Sequence, residues 1–261
     1  MPTVAASDGA VLAYEVHGSG STNLLLLHGA PGTASYFDSL VGALDTTRVR
    51  TIAPDIRGHG GSGGEDVGYT LERLTADALM VADAAGARET VVLGFSMGAK
   101  FAQHLALTAP DRVPGLILVA GCPASELPVP GELLEDWYSR IGDTERLAAL
   151  VTEYASNAID PAELEAVSRN AARASRAAFE GSLNLTIESS FSDEVGAIAA
   201  PTLVVGGAAD PFFTPDYLQH DVVERLRHAR LVVLDSGHHL PLEQTSALAA
   251  LVEAYLAGLA R

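Results

Sequence analysis

The 261 residues are 48% hydrophobic and 19% charged, which suits one globular α/β domain with a large core and excludes a disordered chain. A formal charge of −17 repels nucleic acid and anionic membrane surfaces, so neither is expected as a partner and a neutral or cationic small molecule is. Cys122 stands alone, and no H-E-x-x-H helix occurs, so the sequence supports neither an internal disulfide nor a metal.

Along the chain, the opening MPTVAASDGA lacks a basic n-region and an apolar h-region, and no later run reaches membrane-span length, so the expected location is cytoplasmic. Thr3 to Ala6 and Val11 to His17 flank the turn Ser7-Asp8-Gly9 and read as an antiparallel hairpin at a sheet edge. Short apolar runs follow at Leu24 to Leu27, Val49 to Ala53, Val91 to Leu93, Leu116 to Val119, Leu203 to Val205 and Leu231 to Leu234. They lack alternation, as buried strands of a mostly parallel sheet do when both faces are covered. Leu71, Leu74, Ala78, Val81 and Ala85 step by three and four, with Gly86 as a stop, and Leu248, Leu251, Val252, Tyr255 and Leu259 form a second stripe. The expected fold is a doubly wound α/β sheet of about eight strands, a count set by the pattern.

Between Pro123 and Val195 the alternation stops. Leu147, Leu150, Val151 and Tyr154 mark one helix; Asp160-Pro161-Ala162-Glu163 has the cap, first-turn proline and glutamate of another, whose stripe runs through Leu164, Val167, Ala171, Ala174 and Ala178. Residues 123–195 are therefore expected to form a helical lid inserted in a core of 1–122 and 196–261.

The chemistry-bearing signals fall at strand ends. Gly94-Phe95-Ser96-Met97-Gly98 follows a strand and opens a helix, a turn so tight that glycines are needed and the serine hydroxyl is presented at the carboxyl end of the sheet. A serine needs a base to attack, and Ser236-Gly237-His238-His239 follows the last strand at the same edge. Asp210, the first carboxylate after the next-to-last strand, is placed to orient His238. His28-Gly29-Ala30-Pro31-Gly32 follows an early strand; the backbone N–H groups of Ala30 and Met97 are the expected oxyanion donors, since Pro31 has none, while His28 reads as structural. His59 and His104 read as structural or packing residues, and Cys122 as a small buried hydrophobe at a strand end. Trp137, Tyr138, Phe179, Phe212 and Phe213 are candidates for an apolar pocket wall.

These elements, in the order serine, acid, histidine, resemble the α/β-hydrolase family over nearly the whole chain. Asp55-Ile56-Arg57-Gly58-His59-Gly60-Gly61-Ser62 looks like the D-x-R-G-x-G-x-S turn of many lidded members. The resemblance implies a cofactor-free ester or lactone hydrolase working through an acyl-enzyme on Ser96. Relatives that resemble this scaffold but carry aspartate at the nucleophile, the epoxide hydrolases and haloalkane dehalogenases, do not fit. Carbon–carbon bond hydrolases, cofactor-free perhydrolases, favoured by Pro31 and disfavoured by Ala30 where they carry an aromatic residue, and barely catalytic ligand-binding relatives stay open. Oligomeric state is not legible.

Overall fold

A computed structural model describes residues 1–64 and 68–259. Among the described residues eight strands, β1 (Thr3–Ala5), β2 (Val11–His17), β3 (Thr22–Leu27), β4 (Val49–Pro54), β5 (Val91–Phe95), β6 (Leu116–Val119), β7 (Thr202–Gly207) and β8 (Ala229–Leu234), form one sheet in the order β1-β2-β4-β3-β5-β6-β7-β8. The β1–β2 and β2–β4 pairs are antiparallel and the remaining pairs parallel.

The unbroken apolar strands sort by pleat. Leu25, Leu27, Val92, Leu116, Leu118 and Val204 join one core, and Leu24, Leu26, Val91, Leu93, Ile117, Val119, Leu203 and Val205 the other. Helices α1 (Asp38–Ala43), α2 (Leu71–Ala84), α3 (Met97–Thr108), α8 (Pro215–Asp221), α9 (Leu240–Glu243) and α10 (Thr245–Leu259) lie among strands β3 to β8 and beyond in the chain. Of these, α2, α3 and α8 send Leu74, Val81, Phe101, Leu105 and Leu218 into the first core, whereas α1, α9 and α10 send Leu40, Leu242, Leu248 and Val252 into the second. Side chains from both layers thus leave water on both faces, which is what permits the parallel arrangement. No helix among the described residues is long and apolar enough to cross a membrane.

Arg57, in the turn after β4, is completely buried. Its guanidinium donates from Nε and Nη2 to Asp77 of α2 (2.8 and 3.0 Å) and from Nη1 to Asp8 in the hairpin turn (2.8 Å). Asp55 accepts from the amides of Ala34 and Gly61 (both 2.7 Å), drawing the glycine-rich turn onto the loop after β3.

Four helices intervene between β6 and β7: α4 (Gly131–Arg140), α5 (Thr144–Glu153), α6 (Pro161–Ala171) and α7 (Arg176–Glu188). Asp160 caps α6 as its sequence predicts, accepting from the amides of Ala162 and Glu163. The stripe from Leu164 to Ala178 does not form one helix, however. The chain leaves α6 at Ala171, and Ser175 caps α7 by accepting from the amide of Ala178. The apolar spacing survives the break because both helices turn the same side inward, with Ala171, Ala174 and Ala178 all buried.

Candidate active site

Ser96 sits between β5 and α3 with φ 50° and ψ −116°, a conformation that costs a non-glycine residue ~1–3 kcal/mol. Its backbone is fixed on both sides: its N–H donates to Val119 O (2.9 Å), and its carbonyl accepts from the amides of Ala99 (3.0 Å) and Cys122 (3.2 Å). The flanking glycines are steric requirements. A Cβ on Gly94 would come 2.6 Å from Ala99 Cα, and one on Gly98 2.6 Å from the carbonyl oxygen of His28.

The loop after β8 brings His238 to this hydroxyl. His238 Nε2 lies 3.1 Å from Ser96 Oγ and His238 Nδ1 2.9 Å from Asp210 Oδ2. Asp210 follows β7 and is buried, which alone would raise its pKa. The facing imidazole and the amides of Phe212 (2.8 Å) and Phe213 (3.1 Å), which donate to Oδ1, outweigh burial and hold the carboxyl below its ordinary value. An ionised carboxylate can only accept, so Nδ1 carries the proton and Nε2 is left to accept from the serine. The three predicted residues therefore meet in one hydrogen-bonded chain.

Ala30 and Met97 line the same cavity as Ser96, on the loop after β3 and in the first turn of α3. The cavity measures about 340 Å³. Trp137, Phe179, Phe212 and Phe213 form part of its wall as expected; Tyr138 does not, and packs edge-on against Phe179 behind it (5.8 Å). Among the described residues that line it there is no Lys, Arg, Asp or Glu.

Cys122 also lines the cavity. Burial pushes its thiol up to about 12, so it stays protonated and does not compete as a nucleophile. His28 is structural: Nε2 accepts from the amide of Ile56 (2.9 Å), and burial, with His59 nearby, lowers its pKa to about 3. His59 donates from Nδ1 to Arg57 O (3.0 Å), and His104 Nδ1 meets Thr75 Oγ1 (2.8 Å), away from the site.

Two groups, one lining the cavity and one buried beneath it in α3, are not legible as motifs. Tyr36, just before α1, hydrogen-bonds His239 Nδ1, and both line the cavity. Lys100, one turn past Ser96 in α3, is fully buried and donates from Nζ to the carbonyls of Ser125 (2.8 Å), Thr186 (2.5 Å) and Ser189 (2.8 Å), at the two ends of the four-helix insertion. Tyr36 lies among ordinary core aromatics, and Lys100 recognises only backbone, so neither leaves a pattern in the chain.

With this geometry in view, residues 22–245 match the family described as alpha/beta hydrolase fold. The chain belongs to the α/β-hydrolase fold family. It is 32% identical over 210 residues to a pimeloyl-[acyl-carrier protein] methyl ester esterase of Edwardsiella ictaluri, covering 76% of this chain and 79% of the relative. It is 27% identical over 256 residues to a non-heme haloperoxidase of Rhodococcus erythropolis, covering 92% and 93%. The crystal structure of a hydrolase from Pseudomonas aeruginosa superposes with a TM-score of 0.83 at 28% identity, over 98% of this chain and 97% of that one. Within the α/β-hydrolase fold, the segment between β6 and β7 and the loops after β3, β5, β7 and β8 supply most of the residues that line this chain's cavity.

Proposed function

We propose that this α/β-hydrolase cleaves an uncharged carboxylic ester or lactone through an acyl-enzyme, with Ser96 as nucleophile, His238 as base and Asp210 as its orienting acid. The observation that carries this reading is the continuous Ser96–His238–Asp210 hydrogen-bond chain opening on an apolar cavity. Ser96 Oγ attacks the carbonyl carbon as its proton passes to His238 Nε2, and the oxyanion is received by the N–H groups of Ala30 and Met97. The imidazolium, stabilised by Asp210, protonates the departing alkoxide. Water then attacks the acyl-enzyme with His238 again as base, and the acid leaves; no cofactor takes part.

Residues 123–195 act as the lid and 1–122 with 196–261 as the core in this reading, and the expected site of action is cytoplasmic. The charge-free lining supports an uncharged acyl group, since a carboxylate desolvated there without a partner would cost several kcal/mol.

Activated esters test both parts. Wild-type protein on p-nitrophenyl butyrate should give a burst, a fluorophosphonate should label Ser96, and Ser96→Ala should lose on the order of 10⁴-fold or more in kcat. The p-nitrophenyl hemisuccinate, similar in length but anionic, should react with a kcat/KM at least about a hundredfold lower. A label on another serine, or an active Ser96→Ala, would overturn the nucleophile; equal turnover of the two esters would overturn the substrate class.

A second reading draws on the haloperoxidase similarity and on Pro31 beside Ala30. The same acyl-enzyme intercepted by hydrogen peroxide in place of water would release a peracid. Peracid formation in acetate and peroxide, dependent on Ser96, distinguishes it.

A further inference from the structure

We propose that Glu243 is a positioning residue that ties the His238 loop to the insertion, so that placement of the base requires the insertion to be docked. This rests on His238 being the base.

Glu243 ends α9, five residues past His238. Its Oε2 accepts from the amides of Ser156 (2.8 Å), Asn157 (2.9 Å) and Gly237 (2.9 Å) and from Ser156 Oγ (3.2 Å), while Oε1 accepts from the amide of His239 (2.9 Å). The intervening amide, that of His238 itself, donates to the carbonyl of Tyr154 (2.8 Å). Three consecutive amides of the histidine loop are thus held, the outer two by Glu243 and the middle one by the insertion. Ser156 and Asn157 belong to the link between α5 and α6, so one carboxylate clamps both segments together.

Every partner of Glu243 is a donor, which only an ionised carboxylate satisfies throughout; an amide would turn an N–H toward other N–H groups. The two backbones approach closely: a Cβ on Gly237 would come 2.7 Å from the nitrogen of Ser156. The same link carries a cavity wall. Tyr154 packs edge-on against Phe212 (4.5 Å), and Phe212 edge-on against His238 (5.4 Å). Movement of the 154–157 link away from the sheet therefore breaks the amide anchor of His238 and withdraws the Tyr154 ring that backs Phe212, the ring beside His238.

The test uses the full chain with p-nitrophenyl butyrate. Glu243→Gln and Glu243→Ala should lower kcat by roughly 30- to 300-fold with KM within about threefold, because a displaced base affects the chemical step more than binding. Added formate should restore the activity of Glu243→Ala at least about fivefold by replacing the lost carboxylate. Variants that melt cooperatively yet keep kcat within about threefold, or that raise KM alone, would overturn the proposal. Hydrogen exchange on the wild type reads the clamp without any variant. The amides of Ser156, Asn157, Gly237, His238 and His239 should exchange at one common rate, and faster, independent exchange of Ser156 and Asn157 would overturn the linkage. If wild-type protein shows no burst and no Ser96 label, the catalytic reading fails; the exchange result still reports on the clamp.

Discussion

His238 meets a carboxylate through Nδ1, whereas His239, one residue on, meets the phenol of Tyr36. Burial, reinforced by the neighbouring His238, keeps the pKa of His239 well below the ordinary histidine value, and burial keeps that of Tyr36 well above the ordinary phenol value. Both are therefore neutral at neutral pH and make an uncharged pair in the cavity wall. His238→Ala should lose at least about 10³-fold in kcat/KM and Asp210→Asn on the order of 10³–10⁴-fold, while His239→Ala should lose less than about tenfold. Steady-state kinetics on one activated ester, after each variant is seen to melt cooperatively, checks the contrast; a dead His239→Ala beside an active His238→Ala would reverse the assignment. These residues are legible because strand ends and glycines announce them. Ser96 lies between glycines that a side chain could not replace, and His238 follows Gly237, where a Cβ would meet the insertion. Glu243 and Tyr36 are not legible, because a carboxylate that binds backbone amides 86 or 87 positions away and a phenol paired 203 positions away leave no local pattern.

At the scale of elements, the strands and the two long covering helices follow from periodicity, and the cap at Asp160 from its side-chain chemistry. The insertion is harder to read. Its helix α4 fully buries Tyr138 alone and leaves Leu134 and Trp137 only partly covered, and the short bend between α6 and α7 keeps the spacing of a single helix. What holds this insertion at its base is Lys100. Burial lowers its pKa to about 8, which still leaves an ammonium at neutral pH with three carbonyls to satisfy. Lys100→Met should remove those bonds and strand the three acceptors, destabilising the fold by ~2–4 kcal/mol. A urea melt measures this, and a midpoint unchanged from wild type would mean that the carbonyls find other donors.

For the whole molecule, acid has two opposing effects. The formal charge of −17 shrinks toward the isoelectric point near 4.7, which relieves self-repulsion. Against this, His28, His59 and His239 are buried and neutral, with pKa values lowered chiefly by burial. Their folded values lie below the unfolded value near 6.5, so the unfolded chain binds more protons. The stability they contribute is complete above that value and is lost as pH falls toward the folded values, at up to ~1.4 kcal/mol per group and pH unit. The carboxyls of Asp55 and Asp77, raised above 3.8 by burial, act in the other direction, as does that of Asp38, pushed up to about 6 by burial, so these carboxyls offset part of what the three histidines do. The melting temperature should therefore fall between pH 7 and pH 5 even as the net charge diminishes. Calorimetry across that range decides it, and a rising melting temperature would mean that charge relief dominates.

Arg57 leaves a different mark on how the chain can be handled. Its buried guanidinium answers to Asp77 in a covering helix and to Asp8 in the first turn of the chain. Trimming the leading residues past position 8 would leave that cation without one of its two carboxylate partners. The hairpin turn is consequently part of what holds the buried cation in place, and an exopeptidase or a shortened expression design that removes it takes away one of that cation's partners.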